Sequence, residues 1–157
     1  MAKYYIWPDE DRSLYKLIWR YPCERYDGFH VLGTRFHPFG DFDGEEFPSL
    51  PDEPIRVYRT RGGFRVLYVG RLTPDRGSMM DMFDRLDGDG GDKLYTKYAR
   101  RRGYFAARLE PKYPSPKVVN SVAKLVFYQG DPMPEWEKII ALHDSWVHPF
   151  DRNSVLA

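Results

Sequence analysis

Apolar positions recur along this chain with two periods, alternating in some stretches and spaced three or four apart in others. Residues 4–7 and 14–21 are short aromatic-rich runs separated by Pro8-Asp9-Glu10-Asp11, a pattern that predicts an N-terminal hairpin. Residues 28–39 form a further strand, after which Pro38, Gly40, Gly44, Pro48, Pro51 and Pro54 break regular structure, so residues 38–54 read as a long acidic loop. The clearest local pattern follows: residues 55–60 and 64–69 are β-prone runs joined by Arg61-Gly62-Gly63, a hairpin. With Gly62-Gly63 as its two-residue loop, Arg61 faces Phe64 and Thr60 faces Arg65. Alternation then sorts Ile55, Val57, Phe64, Val66 and Tyr68 onto one side and Arg56, Tyr58, Thr60 and Arg65 onto the other.

Helical spacing takes over at Ser78, which with Asp81 resembles a helix start and is followed by Met79, Met82, Phe83 and Leu86. The run Asp87-Gly-Asp-Gly-Gly-Asp92 ends that helix, and Asp92 caps a second one with Leu94, Tyr95 and Tyr98 on one side, Arg100, Arg101 and Arg102 in its last turn and Gly103 beyond. Tyr104 to Leu109 alternates again, residues 118–128 include one more strand, and Pro134 opens a helix with an apolar stripe of Trp136, Ile139, Ile140, His143 and Val147. The sum is a single α+β domain over residues 1–150, a mixed or antiparallel sheet with two or three helices packed on one face, followed by a loose C-terminal tail at 151–157. The other sheet face is expected to stay open, carrying Arg56, Tyr58, Thr60, Arg65, Tyr104 and Arg108.

Composition narrows this picture without naming a function. A chain of 157 residues with 42% apolar side chains can bury one core, and its net charge of +1 gives no bulk attraction to polyanions. Cys23 is the sole cysteine, which excludes an internal disulfide or a cysteine zinc cluster and fits a reducing cytoplasm. No stretch approaches the roughly 20 apolar residues of a membrane span. Charge is nonetheless segregated. Residues 37–55 hold Asp41, Asp43, Glu45, Glu46, Asp52 and Glu53 without a lysine or arginine; residues 56–76 hold six arginines against Asp75, and residues 93–117 eight basic residues against Glu110. These blocks either neutralise one another as solvated pairs or form separate charged faces.

Several chemistries lack their parts: there is no G-x-x-x-x-G-K-[ST] loop, no G-x-S-x-G elbow and no H-E-x-x-H pair. The run from Asp87 resembles the start of a calcium loop, but its twelfth position is Tyr98 where a glutamate is needed. His30 with His37 and His143 with His148 have spacings that do not share a helix face, so no histidine metal site is assigned, and His143 reads as a buried, hydrogen-bonded imidazole. Asp41 and Asp43 in Gly-Asp-Phe-Asp-Gly would point the same way on a strand and could hold a divalent cation, although the surrounding prolines and glycines favour an exposed turn. The arginines flanking Gly62-Gly63 are the stronger constellation, because guanidinium groups bind phosphate bidentately and glycine permits close approach. Arg108 and Lys112 extend this patch if their strand lies beside the hairpin.

The order of Arg56-Val-Tyr58-Arg-Thr60-Arg-Gly-Gly-Phe-Arg65, Asp92-Lys-Leu-Tyr95, Arg102-Gly-Tyr104-Phe-Ala-Ala-Arg108-Leu-Glu-Pro111-Lys112 and a helix around Trp136 resembles a family of uncharacterised bacterial proteins, over about residues 55–146. The resemblance implies one domain and draws attention to Arg56, Tyr58, Thr60, Arg65, Arg108 and Lys112. A fainter similarity is to archaeo-eukaryotic-type primases, in which an Asp-x-Asp strand precedes a glycine-rich hairpin carrying a histidine and a further aspartate completes a metal site. Asp41, Asp43 and the hairpin follow that order, with Arg65 where the histidine would stand.

The leading expectation is a non-catalytic protein that binds nucleic acid or a nucleotide-like phosphate ligand through Arg56, Tyr58, Thr60, Arg65, Arg108 and Lys112, with no metal or cofactor. One alternative is a primase-like nucleotidyl transferase with a divalent cation on Asp41 and Asp43. The other is an accessory or inhibitory protein that contacts a protein partner through the acidic loop at 41–53.

Overall fold

The computed structural model describes residues 16–21, 29–109 and 123–156, with side chains described for 30–109 and 123–147. Residues 4–7 and Lys112 lie outside that set. The element order is β1 (Lys16–Tyr21), β2 (Phe29–Thr34), β3 (Phe39–Asp43), β4 (Ile55–Thr60), β5 (Gly63–Leu67), α1 (Arg76–Gly88), α2 (Lys93–Arg102), β6 (Phe105–Arg108), β7 (Ala123–Gln129), a 3-10 turn (Pro134–Trp136) and α3 (Glu137–Leu156). The strands form two antiparallel sheets, ordered β1-β2-β6 and β3-β5-β4-β7, so the class is α+β.

The hairpin is present, but its turn is Arg61-Gly62: Tyr58 pairs with Arg65 and Arg59 with Phe64. The shift leaves every side chain on its expected face, because it moves both strands by one residue together. Its cause is the third strand. Gly63 sits within β5 opposite Asp43, where a Cβ would come 1.8 Å from the Phe42 carbonyl oxygen, so glycine is needed there for the approach of β3 and cannot be given up to the turn. The Thr60 hydroxyl closes the hairpin by accepting from the Gly63 amide at 3.1 Å.

The acidic loop is shorter than its prolines and glycines suggest. Residues 39–43 are strand β3, paired to β5 with Asp41 directly opposite Arg65. Its apolar partners Phe39 and Phe42 are buried, and that burial outweighs the turn propensity of the neighbouring glycines. The remaining loop is anchored by Glu53, which pairs with Arg71 at 2.7 Å and Arg85 at 2.6 Å, so part of the charge segregation is internally neutralised.

The cap of α1 lies three residues before Ser78: the Asp75 carboxylate accepts from the Ser78 amide at 2.7 Å, and the Ser78 hydroxyl oxygen accepts from the Asp75 amide. Met79, Met82, Phe83 and Leu86 are its buried face. α2 is capped by Asp92 and ends on Gly103 at φ 79°. Its buried residues are Thr96 and Ala99, whereas Leu94 and Tyr98 face solvent, the reverse of what their apolar character suggests. α3 buries Trp136's successors Ile139, His143 and Val147, and its backbone continues through Pro149 to Leu156 rather than fraying into a tail. An interior proline removes one backbone bond and does not by itself end a helix with turns on either side.

α3 lies on the sheet face that carries Phe39, Tyr58 and Arg65, with His143 against both rings, while a side chain at Gly40 would meet Leu86 of α1 on the opposite face. Strand β7 pairs with β4 with a register shift between Val57 and Tyr58 that leaves Val126 as the extra residue. No described helix is long and apolar enough to cross a membrane.

Candidate functional site

The sheet face expected to be open is covered. Tyr58 has no exposed surface and Arg65 retains 7%, because α3 packs over them. Tyr104 is buried as well. The physical reason is that this face is polar only at its tips: the Tyr58 ring, Leu67 and Phe39 present enough apolar surface to seat a helix, provided the helix supplies hydrogen-bond partners.

His143 and Asp144 supply them. The Arg65 Nη1 donates to His143 Nε2 at 3.0 Å and Nη2 donates to the Arg108 carbonyl at 3.0 Å. Because Nε2 accepts, the imidazole proton sits on Nδ1, which donates to Asp144 Oδ1 at 3.0 Å. Asp144 also accepts from the Tyr58 hydroxyl at 2.6 Å and from Arg56 Nη2 at 3.2 Å, and Arg56 Nε donates to the Tyr58 oxygen at 3.1 Å. Burial pushes the Asp144 carboxyl up, but bonds from His143 and Tyr58 and the charge of Arg56 bring it below its ordinary range. For Tyr58 burial comes first and the Asp144 charge adds to it, so the phenol is held neutral. Tyr58→Phe removes one donor to Asp144 and one acceptor from Arg56, and is expected to cost about 1–2 kcal/mol, read from the urea midpoint at unchanged slope.

Arg56, Tyr58 and Arg65 are therefore brought together, as parts of a satisfied internal network. Thr60 is half-buried and closes its own turn. Arg108 is exposed and its backbone serves Arg65, while the charge of its side chain acts on both Asp41 and Arg65.

Beside this network lies a feature that the sequence reading set aside. Asp41, Asp43 and Asp92 each place a carboxylate oxygen within 4.8 Å of the other two. Strand alternation aligns Asp41 with Asp43. Asp92 arrives from α2: the glycine-rich turn folds back after α1, with Gly90 at φ 88°, the Gly91 amide on the Leu86 carbonyl at 2.8 Å, and the Asp92 amide on the Asp41 carbonyl at 2.7 Å. A Cβ on Gly91 would come 2.8 Å from that Leu86 oxygen, so the turn requires glycine. The run from Asp87 to Asp92 is thus a device that delivers a carboxylate to β3.

Asp41 is half-buried, and its pKa is raised to about 6 by burial first, with the charges of Asp92 and Asp43 adding and those of Arg65 and Arg108 opposing. Among the described residues, no lysine or arginine makes an ion pair with Asp41. Asp43 is also raised, by burial and by Asp92. Arg65 is lowered to about 10 by burial, partly restored by Asp41, and stays charged at neutral pH. Oxygens this close can share one hard cation, whose metal–oxygen distances are about 2.0–2.6 Å. The expectation of a turn at Asp41 and Asp43 rested on local composition, whereas the pairing of β3 with β5 makes both strand residues, Asp41 half-buried and Asp43 exposed.

Comparison with family models, with curated proteins and with solved structures returns no significant match.

Asp92 was the missed residue. It sits at a helix cap, and the legible signal was the glycine run before it.

Proposed function

We propose that this protein binds a phosphate-bearing ligand, a nucleotide or a nucleic-acid strand, through a divalent cation held by Asp41, Asp43 and Asp92. What carries the reading is the convergence of three carboxylates from β3 and the α2 cap with no cationic side chain making an ion pair with Asp41 among the described residues. Asp41 is half-buried, and the like charges of Asp43 and Asp92 add to the cost of its ionised form beyond what Arg65 and Arg108 offset, a cost that a bound cation would relieve. The charge of Arg108, an exposed side chain, acts on Asp41, so a phosphate on the cation would lie in the field of a guanidinium. Direct binding on Arg56, Tyr58, Thr60 and Arg65 is the weaker reading, since α3 covers Tyr58 and Arg65 and Asp144 engages Arg56.

The similarity to archaeo-eukaryotic-type primases supports the same choice, with Asp92 in the part of the further aspartate. A cation bound by carboxylates next to a phosphate suits nucleotidyl transfer, where it would polarise the phosphoryl oxygen while Arg108 steadies the charge. We place this activity in the cytoplasm, which the sole cysteine supports.

Calorimetric titration with Mn²⁺ tests the site. The wild type is expected to bind one ion, and Asp92→Asn to weaken it at least tenfold while leaving the fold intact, because asparagine caps a helix as well as aspartate does. No Mn²⁺ binding at millimolar concentration overturns the proposal.

A further inference from the structure

We infer that the phosphate ligand is a single-stranded nucleic acid whose backbone runs from the cation site along the outer face of α2. The inference rests on the cation-site reading and names its ligand class.

α2 carries five basic residues and no acidic one between Lys93 and Arg102, and the fold sorts them. Arg100 turns toward α1, pairing with Asp84 at 2.7 Å and Asp87 at 2.8 Å. Arg102 lies over the Tyr95 and Tyr104 rings and donates to the Tyr104 carbonyl. Lys93, Lys97 and Arg101 face solvent, and none of them makes an ion pair with a described residue. Spaced by four, they lie on one stripe of the helix.

Two exposed apolar side chains flank that stripe. Leu94 is 60% exposed and Tyr98 51% exposed, one turn apart, with the Arg101 guanidinium 5.9 Å from the Tyr98 ring centre. An exposed tyrosine beside solvent-facing cations is a stacking platform beside a phosphate track, the combination that single strands use. The stripe also has a defined origin. It starts at Asp92, whose side chain accepts from the Leu94 amide at 3.0 Å and which is one of the three cation-site carboxylates. From Asp92 to Arg101 the helix spans about 14 Å, room for a few nucleotides.

A flat anionic membrane would use the lysines and Arg101 but cannot reach the half-buried Asp41, and an acidic protein segment, whose carboxylates could meet both the cation and the basic stripe, brings no base to stack on the exposed Tyr98. A single-stranded nucleic acid uses all three.

The test is fluorescence anisotropy of a labelled 12-nucleotide oligothymidylate in Mn²⁺, over 50–200 mM salt, for wild type, Lys97→Gln/Arg101→Gln, Tyr98→Ala and Asp92→Asn. All are substitutions of exposed or capping side chains. Three phosphate contacts predict a log–log salt slope of about −2, reduced by about 1.4 in the double variant, at ~0.7 per contact on single strands. Tyr98→Ala is expected to weaken binding roughly tenfold at every salt concentration. Oligothymidylate binding that ignores Lys97, Arg101 and Tyr98 overturns the inference. So does its absence from protein that binds Mn²⁺, or α2-dependent capture of phosphatidylserine vesicles in its place, and both leave the cation-site reading standing. If Mn²⁺ fails to bind, the cation reading falls by itself, and α2-dependent oligonucleotide binding would still uphold the track.

Discussion

Asp41→Asn is expected to stabilise the protein by about 2–3 kcal/mol at pH 7.5 and to abolish its response to divalent cations. The Asp41 carboxyl has a folded pKa of about 6 against an ordinary 3.8, a difference worth roughly 3 kcal/mol at about 1.4 kcal/mol per unit. Between those two values the folded chain keeps a proton that the unfolded chain has released. Stability therefore falls as pH rises from 3.8 through about 6, and the whole penalty is present above that window. The asparagine variant does not titrate, so its advantage should vanish near pH 3 and be complete by pH 7.5, as urea denaturation at the two values would show. Mn²⁺ at about 100 times its dissociation constant should raise the wild type by about 2.7 kcal/mol and leave the variant unmoved. A variant less stable than wild type at pH 7.5 would mean that the ionised carboxylate is net favourable against Arg65 and Arg108, and the argument for an absent counter-charge would fail. The expected gain is that of a site kept for function at some cost in stability.

Arg65→Ala is expected to act in the opposite direction, by about 3–5 kcal/mol, the usual cost of removing one partner from a buried charged network. The guanidinium is the donor for both His143 Nε2 and the Arg108 carbonyl, so its loss strands two acceptors and opens a cavity under α3. It also removes a positive charge that opposes the elevation of Asp41, directly across the β3–β5 pair. Arg65→Lys should recover only part of the loss, because one ammonium cannot reproduce the two-armed geometry. Chemical denaturation measures the loss, and a double-mutant cycle of Arg65→Met with His143→Phe should give a coupling of about 1–3 kcal/mol. A change under 1 kcal/mol for Arg65→Ala would show that this arginine faces a ligand rather than the interior, and would restore the sheet face as the phosphate site.

Both predictions concern side chains whose type was conspicuous in the sequence and whose setting was not. The hairpin was readable because the β-prone residues at 55–60 and 64–69 and the intervening glycines act within a dozen residues. Its exact turn was not, since Gly63 is held by a strand twenty residues upstream. The same division separates the two ends of α2. Asp92 and Gly103 are local start and stop signals and occupy the cap positions expected of them, whereas Leu94 and Tyr98 point outward because Thr96 and Ala99 allow a closer approach to the core.

By itself, then, the sequence determined what short-range forces can settle: the caps of α2, the alternation of β4 and β5, the buried stripes of α1 and α3, and the burial of His143. Tertiary structure decided which face of the sheet α3 covers, that Arg65 and Tyr58 lie inside, and that Asp92 meets Asp41 and Asp43 across some fifty residues of chain. The reason is range. Caps and alternation depend on neighbours a few residues away, whereas burial, with the displaced pKa values it brings, is set by surfaces that meet only when the whole domain has closed.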